Sequence, residues 1–312
     1  MFEIELYTSD KKQEWNTFIS NSKNGTFLFD RDYMEYHSAR FKDNSLMIYR
    51  KGLLYAVLPA NRCDTTIWSH QGLTYGGLVM SVKSVTSEIL DVWALVNSFF
   101  KKEGIERVIY KPIPYIYHQI PAQEDLYALF KLCKTNIIGR NISSTIYQNN
   151  KIKFIESRKA GIRKAKKNNI TISSSLDFVS FWEILDNNLK NKYGVAPVHS
   201  LKEILYLNSL FPSNIKLYLA YKEDRVLGGT VLYITKNVVH TQYISASLEG
   251  KEFGVLDLLF DFLINEEYSY MPIFDFGQST EEGGEILNSS LIFQKEGFGA
   301  RGVLYDIYEY YL

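Results

Sequence analysis

Cysteine is nearly absent from this 312-residue sequence: Cys63 and Cys133 stand alone and far apart. They offer neither the close spacing of a metal knuckle nor the density of a secreted disulfide scaffold, so a reducing, cytoplasmic setting is expected. An excess of charge of one sign is also missing. Lys plus Arg and Asp plus Glu number 35 each, which excludes a global field drawing the chain to DNA or to a membrane, so any anion site must be local. Long apolar runs are lacking as well. The most apolar helix-length segment, Val255 to Ile264, is broken by Asp257 and Asp261 and falls short of the roughly 20 residues of a bilayer span, so no integral membrane segment is expected. Met1 to Asp10 carries Glu3 and Glu5, without the basic start and apolar stretch of a secretory signal. The histidines, His37, His70, His118, His199 and His240, form no helical pair and have no neighbouring cysteine, which predicts chemistry without a metal. Neither a P-loop nor a nucleophile elbow occurs.

What is present is repetition. With 46% apolar and 22% charged residues the chain can bury ordinary cores, and its length suggests two of them. In the first half, β-rich runs at Ser45 to Tyr49 and Leu53 to Leu58 flank a charged turn; the second half repeats this with Lys216 to Tyr221 and Val226 to Ile234. Each half then offers a strongly apolar helix (Val85 to Lys102, Gly254 to Glu267), a strand (Arg107 to Lys111, Ile273 to Gly277), a second helix (Glu124 to Cys133, Glu285 to Lys295) and a closing strand (Ser143 to Gln148, Val303 to Tyr310). Helices open each half (Lys11 to Ser20 and Arg31 to Arg40; Phe178 to Lys192 and Leu201 to Leu210). The order predicts an internal duplication with domains at 1–150 and 151–312, each a mixed α/β sheet.

Four segments carry a resemblance to a known family: Ser69-His-Gln-Gly-Leu-Thr-Tyr-Gly-Gly77, Ser157-Arg-Lys-Ala-Gly-Ile-Arg-Lys-Ala-Lys-Lys167, Phe274-Asp-Phe-Gly277, and Leu287-Asn through Gln294-Lys-Glu-Gly-Phe-Gly-Ala-Arg301. With the element order they resemble the Fem-like, tandem-domain branch of the GNAT acyltransferase superfamily, over nearly the whole chain. The resemblance implies two tandem GNAT-like domains of mixed α/β class and an N-acyltransferase acting on a primary amine of a small molecule or of a lipid- or peptide-linked cell-envelope precursor. The donor would be an acyl-CoA such as acetyl-CoA, or an aminoacyl-tRNA. It would lie between splayed strands at Val238 to Ser245 and Ile273 to Gly277, with Ile244, Ser245 and Ala246 near its carbonyl and Lys251 and Gly254 in a phosphate-facing turn. Asp275 is the first candidate for a base, ahead of Glu281, Glu282 and Glu296, and Tyr308 could replace the tyrosine acid that family members often carry. The sequence departs from the acetyl-CoA pattern at that turn, where Glu249 and Glu252 would repel a diphosphate.

Several signals admit two readings. The stretch Arg158 to Lys167, with Arg163 and Lys164, is either a solvated amphipathic helix or a patch for a polyanion such as a tRNA acceptor stem, CoA phosphates or a nucleotide sugar, and Lys295 is a further candidate for substrate contact. Tyr75, Gly76 and Gly77 behind His70 are either a bent strand or a substrate wall where glycine permits close approach. Gly297-Phe-Gly-Ala-Arg-Gly302 matches a dinucleotide pattern but leaves a helix and enters a strand, so it is read as a helix C-cap with Gly297 in the left-handed conformation. The competing reading of the whole chain is a catalytically silent GNAT-like module that binds a glycan or protein partner.

Overall fold

The computed structural model describes residues 1–312 apart from the side chain of Tyr193. It is mixed α/β throughout. The chain divides into two compact units, one made of Met1–Asn141, Thr280–Ile286 and Leu304–Leu312, the other of Ile142–Ser279 and Leu287–Val303.

In the first unit, Leu46–Arg50 and Leu53–Leu58 form a hairpin whose two turn residues, Lys51 and Gly52, both have positive φ. That is the turn whose twist matches paired strands. Phe2–Leu6 and Val79–Met80 complete this sheet. The helix Thr86–Lys102 buries Ile89, Val92, Trp93, Val96 and Phe100, an apolar stripe at helical spacing. Trp93 packs edge-on against Tyr110, 5.2 Å between centroids, and the Tyr110 hydroxyl donates to Asp125. The strand Thr66–Trp68 runs parallel to Arg107–Tyr110. The predicted helix from Arg31 to Arg40 is only Arg31–Glu35, started by the Asp30 side chain accepting from the Asp32 amide.

The second unit orders Ile170–Ser175, Ile215–Lys222, Arg225–Ile234 and Val238–Ala246 antiparallel, then adds Ile273–Gln278 parallel to the last of these. Phe178–Tyr193 is capped by Asp177, and Leu201–Leu210 begins with a capping box of Ser200 and Glu203. The predicted helix from Glu285 shortens to Ser289–Glu296, because Gly283 and Gly284 have positive φ and Asn288 supplies the cap. Gly297 is right-handed helical; the left-handed residue is Gly299, whose amide donates to Glu296 O at 2.8 Å. A Cβ there would lie 2.3 Å from Ile152 O.

One expectation changes in kind. The sequence predicts that each half closes on its own last strand, yet the structure exchanges them. Tyr308–Tyr311 of the final strand pairs with Arg107–Tyr110 in the first unit, and Ser143–Tyr147 of the strand Asn136–Tyr147 pairs with Ile273–Gln278 in the second. Alternating polarity specifies which face of a strand is buried, not which neighbour it joins. No helix among the described residues is long and apolar enough to cross a membrane.

Candidate active site

The site is built by two strands that separate. Val238–Ala246 and Ile273–Gln278 share only Val238↔Ile273, Val239↔Phe274 and His240↔Asp275. Each then bends away for its own reason. In the first, Leu232 pairs with Thr241 and Val231 with Tyr243, leaving Gln242 as an extra, unpaired residue, a bulge that turns the strand. In the second, Gly277 has φ 73° and the register against Ser143–Tyr147 slips between Asp275 and Gln278.

Asp275 sits at the vertex and is fully buried. Its Oδ1 accepts from Ser143 Oγ at 2.5 Å and Thr145 Oγ1 at 2.8 Å, and its Oδ2 lies 2.7 Å from His240 Nδ1. Burial alone would raise this carboxyl; His240 and the two hydroxyls outweigh it and hold the group below the usual carboxylate range. Asp275 therefore does not present itself to the cleft as the expected base would, because its oxygens face inward and bind neighbouring strands together.

Beyond the vertex opens a cleft of about 230 Å³, a little below the usual span of small-molecule sites. The diverging strands contribute Ile244, Ser245, Ala246 and Phe276; Leu185, Asn188, Leu189 and Lys192 come from Phe178–Tyr193. Leu256 and Phe260, then Leu291, Gln294, Lys295 and Phe298, line the remaining wall, with Lys251 at the turn. The Ser247 amide donates to Leu227 O. By the alternation of an antiparallel ladder, Ser245 and Ser247 turn their main-chain groups to the strand Arg225–Ile234, and Ile244 and Ala246 turn theirs to the side the parallel strand has left. Asn188, unremarked in the sequence, fixes this edge. Its Nδ2 donates to Ser245 Oγ at 2.7 Å and Ala246 O at 2.8 Å, while Lys251 Nζ donates to its Oδ1 at 3.4 Å.

Lys295 is the buried cation of the cleft. Its Nζ donates to Gly277 O at 2.9 Å and Gln278 O at 2.7 Å, and burial, partly offset by Asp275, pushes it down to about 8. The expected phosphate turn is less open than its sequence suggests. Leu248–Phe253 is a six-residue helix capped by Ser247: the Gly250 amide donates to Ser247 Oγ and the Lys251 amide to Ser247 O. Glu249 forms a two-pronged ion pair with Arg225, and Gly254, at φ 73°, packs on the Gly161 backbone rather than in the cleft. Glu296 is half-buried off the cleft, and Tyr308 belongs to the first unit, where its hydroxyl donates to Asp306 Oδ2.

The basic helix Glu156–Lys167 buries Ile162 and Ala165, but its charges divide. Arg158 is engaged inward, 2.7 Å from Asp257 Oδ1 and over the Phe298 ring. Arg163, Lys164, Lys166 and Lys167 are exposed, with Arg163 paired to Glu156 at 2.6 Å.

The first unit carries the same parallel pair, Thr66↔Arg107 to Trp68↔Ile109, but its own chain bridges the strand ends. The Gly76 amide donates to Lys111 O at 2.9 Å, the Lys111 amide to Ser69 Oγ at 2.7 Å, and Lys111 Nζ to Leu73 O. A Cβ on Gly76 would lie 1.4 Å from Ser69 O, so this glycine serves packing against the chain, not approach by a ligand. Tyr75 is buried with its hydroxyl on Thr26. His70 is buried too, and burial, with His37, Lys111 and Arg31 adding to it, pushes its imidazole down to about 3.

Among solved structures, the chain is similar to FemX, at 12% identity and TM-score 0.70 over 99% of this chain and 97% of that one. It is similar to L-PGS from Bacillus licheniformis, at 11% identity and TM-score 0.63 over 97% and 91%. A tandem GNAT protein from the clavulanic acid biosynthesis pathway matches at 9% identity and TM-score 0.52 over 100% and 98%. No protein-family model and no curated protein matches the sequence. The chain thus has a tandem GNAT-like fold of the Fem type.

Proposed function

We propose that this chain is an N-acyltransferase whose donor enters the cleft of the second unit. The supporting observation is the separation of Val238–Ala246 from Ile273–Gln278 beyond His240 and Asp275, which directs the Ile244 and Ala246 amides into an apolar cleft beside Lys295. Such amides polarise a donor carbonyl and stabilise the oxyanion formed when an amine attacks it. Lys295 adds positive charge at the same wall, and Asp275 acts as a positioning residue at the vertex. Among the described residues no carboxylate lines the cleft; the amine attacks in its neutral form, the tetrahedral adduct expels the donor's thiolate or ribose oxygen, and the proton left on nitrogen passes to that leaving group or to solvent. FemX, a tandem GNAT protein and L-PGS share the fold.

The donor reading that best suits the turn is aminoacyl-tRNA, with acyl-CoA as the alternative. At the turn the Gly250 and Lys251 amides are engaged by Ser247 and Glu249 adds a negative charge, whereas Lys164, Lys166 and Lys167 stand exposed on one helix and offer a polyanion counter-charges. Replacing Lys295 by Met removes the positive charge from that wall and leaves Gly277 O and Gln278 O without their donor, and is expected to slow transfer by at least about tenfold; an unchanged rate in a folded variant counts against the site. Reversing Arg163 and Lys164 to Glu should abolish tRNA-dependent transfer and spare acyl-CoA use. Full tRNA-dependent activity in that double variant would rule out the tRNA reading.

A further inference from the structure

We infer that the second unit's cleft selects an acyl group whose chain, beyond the carbon next to the carbonyl, is apolar and carries no positive charge, an inference that rests on donor binding in this cleft. Every ionisable side chain on its wall among the described residues, Lys192, Lys251 and Lys295, is a cation. Asp275, the acid whose field reaches Lys295, is fully buried and bound to Ser143, Thr145 and His240. A chain ending in an ammonium would therefore give up its water against hydrocarbon, meet like charge and find no partner.

The hydrocarbon wall is also closely packed. Phe276 and Phe298 are stacked at 5.5 Å, and Phe260 meets Phe276 edge-on at 4.9 Å. Leu185, Leu189 and Leu256 face the same space. The polar groups of the cleft gather where Ile244, Ala246 and Asn188 meet, which suits the carbonyl and the atoms next to it; the aromatic side suits the rest of the chain. The transferred group is thus aliphatic or aromatic beyond its first carbons.

Calorimetric binding to the full chain tests this with two matched pairs. One is hexanoyl-CoA against 6-aminohexanoyl-CoA; the other is an acceptor-end RNA mimic carrying leucyl or lysyl through a stable amide. Within whichever carrier binds, the apolar member is expected to bind at least about tenfold tighter, since the other must bury an unpaired ammonium. Leu189→Asp and, separately, Leu256→Asp should each narrow or reverse that preference by supplying the missing counter-charge. Equal or tighter binding of the cationic member to the unaltered chain overturns the inference and leaves the acyltransferase reading standing. Failure of all four probes to bind overturns both.

Discussion

Lys295 and Asp275 are the two charges that the fold keeps out of water at one vertex, and they respond to pH in opposite ways. Lys295 is held near 8 against an ordinary 10.5. Between those values the unfolded chain binds the proton more tightly, so stability rises with pH across the window, by on the order of 3 kcal/mol for this group. Lys111, also pushed to about 8 by burial, adds a slope of the same sign. Urea midpoints measured from pH 7 to pH 9, below the range where unfolded tyrosines ionise, should therefore rise in the native chain, with Lys295→Met losing part of the rise and keeping the part due to Lys111. Asp275 is depressed instead, so its contribution is complete above the unfolded carboxylate value and is lost as pH falls through the folded one. Asp275→Ala leaves Ser143, Thr145 and His240 without their acceptor and should cost about 3 kcal/mol at pH 7, read as a lower urea midpoint.

Among elements, the decisive feature is one extra residue. Gln242 has no partner on the strand Arg225–Ile234, and its bulge starts the divergence on which the cleft depends. Deleting Gln242 should let Val238–Ala246 run on beside Ile273–Gln278. A deletion protein that keeps its circular dichroism but loses donor binding is the expected result, and retained binding would show that the bulge is dispensable. Such a residue is invisible to period-2 reading, which located Val238 to Ser245 and Ile273 to Gly277 as strands but says nothing of register. Ile244, Ser245 and Ala246 continue the first of those strands and Lys251 lies in the turn after it, which is why sequence alone singles them out. Asn188 escaped because a mid-helix asparagine has no pattern, and only its reach to Ser245 and Ala246 gives it meaning. Sequence gives Asp275 its place near the carboxyl end of a strand, which suggests a base, but not the hydroxyls of Ser143 and Thr145 opposite.

Across the molecule, duplication has left two copies of one parallel strand pair in different states. The second unit's copy opens; the first unit's is bridged by Ser69, Leu73 and Gly76 against Lys111. Binding titrations should accordingly find a single donor site per chain. Element order, the tandem repeat and the mixed α/β class were legible because apolar periodicity repeats between the halves, while the exchange of closing strands was not, since it depends on pairing between segments distant in sequence. Removing Leu304–Leu312 takes Tyr308–Tyr311 from Arg107–Tyr110, so hydrogen exchange should quicken at Arg107–Tyr110 in the truncated protein while Ile215–Lys222 stays protected.

That exchange also sets a timetable for biosynthesis. The first unit takes its closing strand from Tyr308–Tyr311, so a nascent chain holds an unfinished edge at Arg107–Tyr110 until that distant segment has left the ribosome. A gene split at 150/151 would hand each half the other's strand, and neither product could complete its sheet without its sibling.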